Sequence, residues 1–337
     1  MNNIVSYCNN GENLIYLICC KERWAKMSSL TEIKELQEIL KEDSSNFQAR
    51  RRLAIVLLDS GFNEESLAQF KFLVGVFPSD PSLFYNIGIV YEKLKNFDAA
   101  EKAYLKAIKI SPEETDFYYN LGLVYIDKQQ YDKSISCFKK VLATDKDDSN
   151  SFFNLGICFL KKNEDELAIK CFKKAAKLND NDVFAHFYLG YYFKKQGDID
   201  SAIEKYKKVV ELCPDYSWAY FNLGSIAFDQ GELDLALKDL EKTLELNPRD
   251  IEAYKIYSKV LTKFGRVDEA TNLIQNAIGE NPDAGDLYYV LAQLYKHKNN
   301  MAGYEKALKH SLKHYKTLSV SPKLVKSELD EFLALQN

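Results

Sequence analysis

Four asparagines recur at a fixed interval and are the side chains of this sequence best suited to recognise another polypeptide. They are spaced by 34 or 68 residues: Asn86, Asn120, Asn154 and Asn222. An aromatic residue stands directly before each of the first three: Tyr85, Tyr119 and Phe153. A carboxamide has both a donor and an acceptor, so it can pair with a peptide amide of any sequence. These residues are therefore candidates for a peptide-binding stripe; alternatively, the recurring pair of an aromatic residue and asparagine only reflects the ordinary composition of a repeat.

The histidines and the remaining motifs predict no catalysis. His310 and His314 are four residues apart and could face the same way, as zinc ligands do. No glutamate follows His310, so the His-Glu-x-x-His signature of metalloproteases is absent. A solvated basic face is favoured, because residues 285–318 hold 6 lysines and 2 acidic residues. No phosphate-binding loop, nucleophile elbow or paired-cysteine zinc spacing is present either. We therefore expect no enzyme, no metal and no cofactor.

Charge and hydropathy exclude several other classes of protein. The 337 residues carry a formal charge of −4, which argues against a dedicated nucleic-acid binder. Lys161, Lys194 and Lys195 offer only a basic patch. The longest apolar run, Leu14 to Cys20, is shorter than the roughly 18 residues that a membrane span needs. Seven cysteines without paired spacings predict reduced thiols in a cytoplasmic protein.

Prolines and glycines show that the asparagine interval is the period of a repeat. Five prolines lie at multiples of 34 residues from one another: Pro78, Pro112, Pro214, Pro248 and Pro282. Five glycines in a second phase are each 34 apart: Gly88, Gly122, Gly156, Gly190 and Gly224. A third phase holds four more: Gly61, Gly197, Gly231 and Gly265. Three independent sets with one period indicate a stack of similar units, each burying a face against its neighbours.

Each unit is predicted to be a helical hairpin. Eight units fill 47–318, starting at 47, 81, 115, 149, 183, 217, 251 and 285. Positions 4, 7, 8 and 11 of a unit share one helix face, and positions 20, 24 and 27 share the face of a second helix. A small residue at position 8 and a large one at position 24 predict a close helix–helix contact in every unit. A glycine turn near position 15 joins the two helices, and proline at position 32 ends the second.

The pattern resembles the tetratricopeptide repeat family over about four-fifths of the chain. In the second unit every signature position is filled: Tyr85-Asn86-Ile87-Gly88-Ile89-Val90-Tyr91, Ala100, Tyr104, Ala107 and Pro112. The resemblance implies an all-α, right-handed superhelical solenoid whose first helices line a concave groove. It also implies that the asparagines at position 6 look into that groove. The two-carboxylate clamp with which some members hold acidic chaperone tails is matched here only at its central asparagine, so that ligand is not expected.

The ends of the chain are predicted to cap the array. Residues 1–27 form an extension that is either a degenerate helix or not native to the functional protein. Residues 28–46 are expected to form an N-terminal capping helix with Leu30, Ile33, Leu36, Ile39 and Leu40 on one face. Residues 319–337 are expected to form a C-terminal one with Leu324, Val325, Leu329, Phe332 and Leu333. Either helix could instead mediate dimerisation, so the oligomeric state is left open.

These features favour a non-catalytic scaffold that binds a partner protein or an extended peptide in the concave groove, and neither nucleic acid nor a membrane. Two alternatives stay open. One is a structural subunit of a multiprotein assembly, and the other is an accessory module for a separately encoded glycosyltransferase.

Overall fold

The computed structural model describes residues 29–335, and every regular element in that range is a helix. Eight helical hairpins, numbered here as repeats 1 to 8, make up most of it. Their first helices are α2 (Phe47–Asp59), α4 (Pro81–Lys93), α6 (Thr115–Asp127), α8 (Ser149–Lys161), α10 (Val183–Gln196), α12 (Ser217–Gln230), α14 (Ile251–Lys263) and α16 (Gly285–His297). Their second helices are α3 (Asn63–Val76), α5 (Phe97–Ile110), α7 (Tyr131–Thr144), α9 (Asp165–Leu178), α11 (Ile199–Leu212), α13 (Leu233–Leu246), α15 (Val267–Glu280) and α17 (Met301–Lys313). The predicted all-α class built from helical hairpins is confirmed.

Aspartate side chains define where several first helices begin. Asp80, Asp148 and Asp250 each accept a hydrogen bond from a backbone N–H in the first turn of α4, α8 and α14. An N-cap acceptor of this kind satisfies a donor that the helix itself leaves unpaired. The prolines act at the opposite ends. For example, α5 ends at Ile110 and Pro112 follows two residues later.

The turn between the two helices of a hairpin is left-handed in all eight repeats. Position 15 has a positive φ whether or not it is glycine. Four repeats place glycine there: Gly61, Gly197, Gly231 and Gly265. The other four place a residue with a side chain there, with φ between 55° and 59°: Lys95, Gln129, Asn163 and Asn299. The sequence predicted the turn from its glycines, but the hairpin imposes the same conformation on lysine and glutamine.

The glycine at position 8 lies against the large residue at position 24, as predicted. A Cβ on Gly190 would come within 2.8 Å of the Tyr206 ring, and one on Gly224 within 2.9 Å of Leu240 Cγ. Position 20 completes the contact in repeats 1 and 3. Ser134 Oγ donates to the carbonyl oxygen of Gly122 across 2.8 Å in the buried interior of repeat 3. Small residues at positions 8 and 20 thus bring the two helices of a hairpin together.

The chain divides into two compact bodies, described here as 29–171 and 172–335. In the first body, consecutive repeats share one core. Phe70 and Leu73 of repeat 1, for instance, pack with Leu83 and Val90 of repeat 2. In the second body, the largest core cluster joins Ile274, Leu287 and Leu308 with the chain's last helix.

A further helix flanks the repeats at each end of the described chain. Helix α1 (29–42) buries Ile33 against Leu53 and Leu57 of repeat 1, while Leu30 and Ile39 are exposed. A 3₁₀ turn (Tyr315–Thr317) leads into α18 (Pro322–Ala334). This helix buries Val325 and Leu329, packs Phe332 and Leu333 against repeat 8, and leaves Leu324 exposed. The predicted extension 1–27 lies outside the described residues.

Candidate functional site

All four predicted asparagines lie on first helices, and all four side chains are half-buried. Asn86, Asn120 and Asn154 occupy α4, α6 and α8 of the first body, and Asn222 occupies α12 of the second. Three of them, Asn86, Asn154 and Asn222, donate to the backbone carbonyl one turn earlier on the same helix. Asn86 Nδ2 donates to Ser82 O across 2.8 Å, and Asn222 Nδ2 donates to Trp218 O across 2.8 Å.

In the first body the tyrosine at position 5 holds the asparagine of the next repeat. Asn120 Nδ2 donates to Tyr85 Oη across 2.9 Å, and Asn154 Nδ2 donates to Tyr119 Oη across 3.1 Å. Asn154 Nδ2 also donates to Asn150 O across 3.0 Å, so both of its hydrogens are engaged. We call these five side chains, Tyr85, Tyr119, Asn86, Asn120 and Asn154, the Tyr–Asn row.

The tyrosine rings of the row pack into the repeat cores. The Tyr85 ring lies 5.2 Å from Phe117 and 5.9 Å from Tyr104, and Tyr119 lies 5.6 Å from Phe138. Burial raises the pKa of both hydroxyls above its usual value, so Tyr85 and Tyr119 are neutral near pH 7. They are therefore fixed positions from which the asparagines are oriented. The members of each pair are 35 residues apart, one repeat plus one position, and this spacing is the signal for the pairing in the sequence.

The pairing of tyrosine with the asparagine of the next repeat does not continue beyond repeat 4. Phe153 on α8 has no hydroxyl, and Tyr188 stands where repeat 5 would carry asparagine. In the second body Phe187 stands at position 5 of repeat 5, so the Tyr–Asn pairing has no counterpart at Asn222. The Tyr188 ring instead stacks on Phe172, with ring centroids 4.9 Å apart.

Two exposed aromatic side chains of the second body were not singled out from the sequence. Phe184 and Trp218 each leave 53% of their surface accessible. Both occupy position 2 of a first helix, one turn before the position-5 residues Phe187 and Phe221. The recurrence of an aromatic residue at position 2 was the available signal.

His310 and His314 pack against an aromatic ring, and Cys137 is buried in a repeat core. His310 and His314 both stack on the Tyr288 ring, at centroid distances of 5.3 and 5.6 Å. Within residues 29–335, no cluster of three or more His, Cys, Asp or Glu side chains is arranged to hold a metal ion. Burial raises the pKa of Cys137 to about 12, which keeps this thiol protonated near neutral pH. None of the helices described is both long enough and apolar enough to span a bilayer.

Matches to protein-family models coincide with four of the repeats seen in the helices. A family model described as "Tetratricopeptide repeat" matches residues 81–114, 115–148 and 217–250. A second model with that description matches 149–182, and one described as "TPR repeat" matches 190–231. No curated protein sequence matches the chain.

Several solved structures resemble the chain. The pilF protein of Pseudomonas aeruginosa has 16% identity and a TM-score of 0.56, over 64% of this chain and 97% of that one. A tetratricopeptide repeat protein of Parabacteroides merdae has 13% identity and a TM-score of 0.53, over 75% and 98%. YrrB, described as a TPR protein with an unusual peptide-binding site, has 25% identity and a TM-score of 0.46, over 55% and 95%.

The matches to the family models, together with the period of 34 residues and the eight helical hairpins, lead to one assignment. The chain belongs to the tetratricopeptide repeat family.

Proposed function

We propose that this protein is a non-catalytic scaffold that holds an extended segment of a partner protein along the Tyr–Asn row of repeats 2 to 4. Tetratricopeptide repeats in general imply a protein-interaction scaffold, and the proposal adds the site. One observation carries it: successive repeats orient their asparagines through the tyrosine of the preceding repeat.

The tyrosine bonds orient the carboxamides of Asn120 and Asn154. Asn154 uses both N–H hydrogens within the protein, which leaves its carbonyl oxygen for an incoming donor. A backbone N–H of an extended peptide is such a donor, and it is present whatever the peptide sequence. Orienting the acceptor before binding lowers the entropy lost when the complex forms. Tyr85 and Tyr119 are thus positioning residues, and Phe153 offers an apolar surface beside the last asparagine.

The repeat spacing fits a peptide backbone. Neighbouring helices pack about 10 Å apart, and an extended chain advances about 3.3 Å per residue. One asparagine therefore meets the peptide about every third residue. The three asparagines of the row together span about six residues of the ligand.

The test is a peptide-display selection against the full chain, followed by affinity measurements with the selected peptides. A triple Asn86→Ala, Asn120→Ala, Asn154→Ala variant is expected to bind them on the order of a hundredfold more weakly, at about 1 kcal/mol for each lost hydrogen bond. Helical circular dichroism confirms that the variant is folded. The control carries Asn272→Ala and Asn276→Ala, two exposed asparagines on the second helix α15, and should bind as the wild type does.

Full affinity in the folded triple variant would refute the proposed site. The interface would then lie on the second helices or the terminal helices, as expected of a fixed subunit in a larger assembly. Size-exclusion chromatography gives an independent reading, because an obligate oligomer favours the assembly subunit.

A further inference from the structure

A groove of about 620 Å³ opens in the second body, in repeats other than those of the Tyr–Asn row. Helix α14 lines it with three lysines spaced one turn apart: Lys255, Lys259 and Lys263. Helix α16 lines it with Val290, Gln293 and His297. The segment Ser319–Val320, which leads into α18, also lines the groove.

The first lysine is fully engaged by the protein itself. Lys255 Nζ lies 3.0 Å from Asp286 Oδ2, 2.8 Å from Glu252 Oε1 and 3.1 Å from Ser319 Oγ. The Ser319 backbone N–H donates to the other oxygen of Asp286 across 2.7 Å. We call these contacts among Lys255, Asp286 and Ser319 the clasp. The clasp fixes the segment before α18 against repeats 7 and 8. Because two carboxylates already pair with Lys255, this lysine is not available to a ligand.

The other two lysines have no carboxylate partner among residues 29–335. Lys259 and Lys263 are exposed, and Lys263 Nζ lies 4.5 Å above the centre of the Phe228 ring. Glu328 of α18 accepts hydrogen bonds from two residues that line the groove, Tyr289 Oη and Gln293 Nε2, at 3.0 and 3.1 Å. The carboxylates of Asp286 and Glu328 therefore have partners within the protein. Lys259 and Lys263, which stand beside an apolar lining, have no anionic partner among the described residues.

The distance between Lys259 and Lys263 along their helix matches the distance between alternate side chains of an extended peptide. Residues four apart on a helix are separated by about 6 Å along its axis. Alternate residues of an extended strand are about 6.7 Å apart and point the same way. We propose that this groove binds an acidic segment of a partner protein, in which two carboxylates separated by one residue pair with Lys259 and Lys263. Val290 and the Phe228 ring contact the methylene groups of those acidic side chains.

Charge and shape favour a peptide over a nucleic acid. The chain as a whole carries a net charge of −4, which opposes a long polyanion. Of the lysines that line the groove, two lack a carboxylate partner among the described residues, and Ser319 also lines the groove. Two carboxylates on a short extended segment satisfy this site, whereas a phosphate backbone needs a longer run of cations.

The experiment uses the full chain and a blocked, fluorescently labelled pentapeptide with glutamate at its second and fourth positions. Its anisotropy is titrated at about 50 mM salt, where exposed charges are weakly screened. A Lys259→Gln, Lys263→Gln variant should bind roughly tenfold more weakly, as expected for two exposed ion pairs. A peptide with glutamine at both positions should show a comparable loss with the wild-type chain.

A matched control variant distinguishes binding in this groove from non-specific electrostatic attraction between the acidic peptide and exposed lysines. Lys173 and Lys177 on α9 have the same spacing, are exposed, and include a lysine 5.2 Å above an aromatic ring, that of Phe193. A Lys173→Gln, Lys177→Gln variant should bind the acidic peptide as the wild type does. An equal loss in the control, wild-type affinity in the Lys259 and Lys263 variant, or no binding at millimolar peptide would overturn the proposal. Tighter binding of a single-stranded oligonucleotide than of the peptide would also overturn it.

Discussion

Phe138 lies directly against Gly122, so that a Cβ on Gly122 would come within 2.8 Å of Phe138 Cζ. The Phe138 ring is fully buried. A mid-helix glycine costs about 1 kcal/mol relative to alanine in an isolated helix. Here that cost is offset by a helix contact that a larger residue would prevent.

Substitutions at Gly122 should therefore destabilise the protein in order of size. Gly122→Ala is expected to cost about 1–3 kcal/mol, and Gly122→Leu several kcal/mol, because either forces the core of repeat 3 apart. The control is Gly75→Ala, since Gly75 is also helical and a Cβ there meets nothing within 4 Å. That change should be neutral or slightly stabilising. Thermal melts followed by circular dichroism measure both, and a neutral Gly122→Ala would contradict the contact.

Two buried tyrosines at the same repeat position should respond in opposite ways to loss of the hydroxyl. Tyr206 Oη is buried, and no residue that the structure describes hydrogen-bonds to it. Tyr104 is equally buried, but its hydroxyl donates to the Glu92 carboxylate. We expect Tyr206→Phe to stabilise by about 1 kcal/mol and Tyr104→Phe to destabilise by about 1–2 kcal/mol. Urea denaturation of the two variants gives the comparison, and a loss of stability in both would mean that Tyr206 has a partner.

The Tyr–Asn pairs should be energetically coupled even without a ligand. A double-mutant cycle with Tyr119→Phe and Asn154→Ala is expected to give a coupling energy of about 0.5–1.5 kcal/mol in stability. Phe187 and Asn222 supply the matched cycle, because Phe187 has no hydroxyl and Asn222 bonds within its own helix. Phe187→Leu and Asn222→Ala should be additive. A coupling energy near zero between Tyr119 and Asn154 would contradict the inference that the tyrosine orients the asparagine.

The clasp at Asp286 should make stability depend on pH in the acid range. Burial opposes ionisation of Asp286, but the Ser319 N–H and the Lys255 ammonium hold the pKa of this carboxyl below its usual value. A group with a lowered folded-state pKa stabilises the fold above its unfolded value, about 3.9, and this contribution is lost as the pH falls through the folded pKa. Asp286→Asn should therefore lower the melting temperature at pH 7.

The gap between wild type and Asp286→Asn is expected to narrow as the pH falls below about 4. Exposed Asp234 provides the control, and Asp234→Asn should melt close to the wild type at both pH values. A gap of constant size from pH 7 to pH 3 would show that the Asp286 charge contributes nothing to the clasp.

The repeat geometry was predictable because it depends on residue sizes that recur in the sequence. Glycine at position 8 and a ring at position 24 meet inside one hairpin, so periodicity alone identified that contact, as Gly122 and Phe138 illustrate. The orientation of the asparagines was not predictable in this way. It depends on which side chains of adjacent repeats meet, and the bond from Asn120 to Tyr85 crosses from one hairpin to the next.

The lysine groove of repeats 7 and 8 depends on more distant parts of the chain. Lys259 and Lys263 are one helical turn apart in the sequence, and of the three lysines only Lys255 has an acidic residue one turn away, Glu252. Its second carboxylate partner, Asp286, is 31 residues away, and Ser319, 64 residues away, bonds to both Asp286 and Lys255. A pattern of period 34 does not report contacts made by a segment outside the repeats.

The left-handed turns have a consequence for how individual repeats open. Lys95, Gln129 and Asn163 hold the conformation that glycine adopts freely, at a cost of order 1 kcal/mol each. That energy is released when the hairpin unfolds locally, so the free energy of opening is lowered in repeats 2, 3 and 4. These are the repeats that carry the Tyr–Asn row. Their backbone amides should exchange with solvent faster than those of the glycine-turn repeats 5 to 7, and a ligand that bridges three asparagines would suppress that exchange.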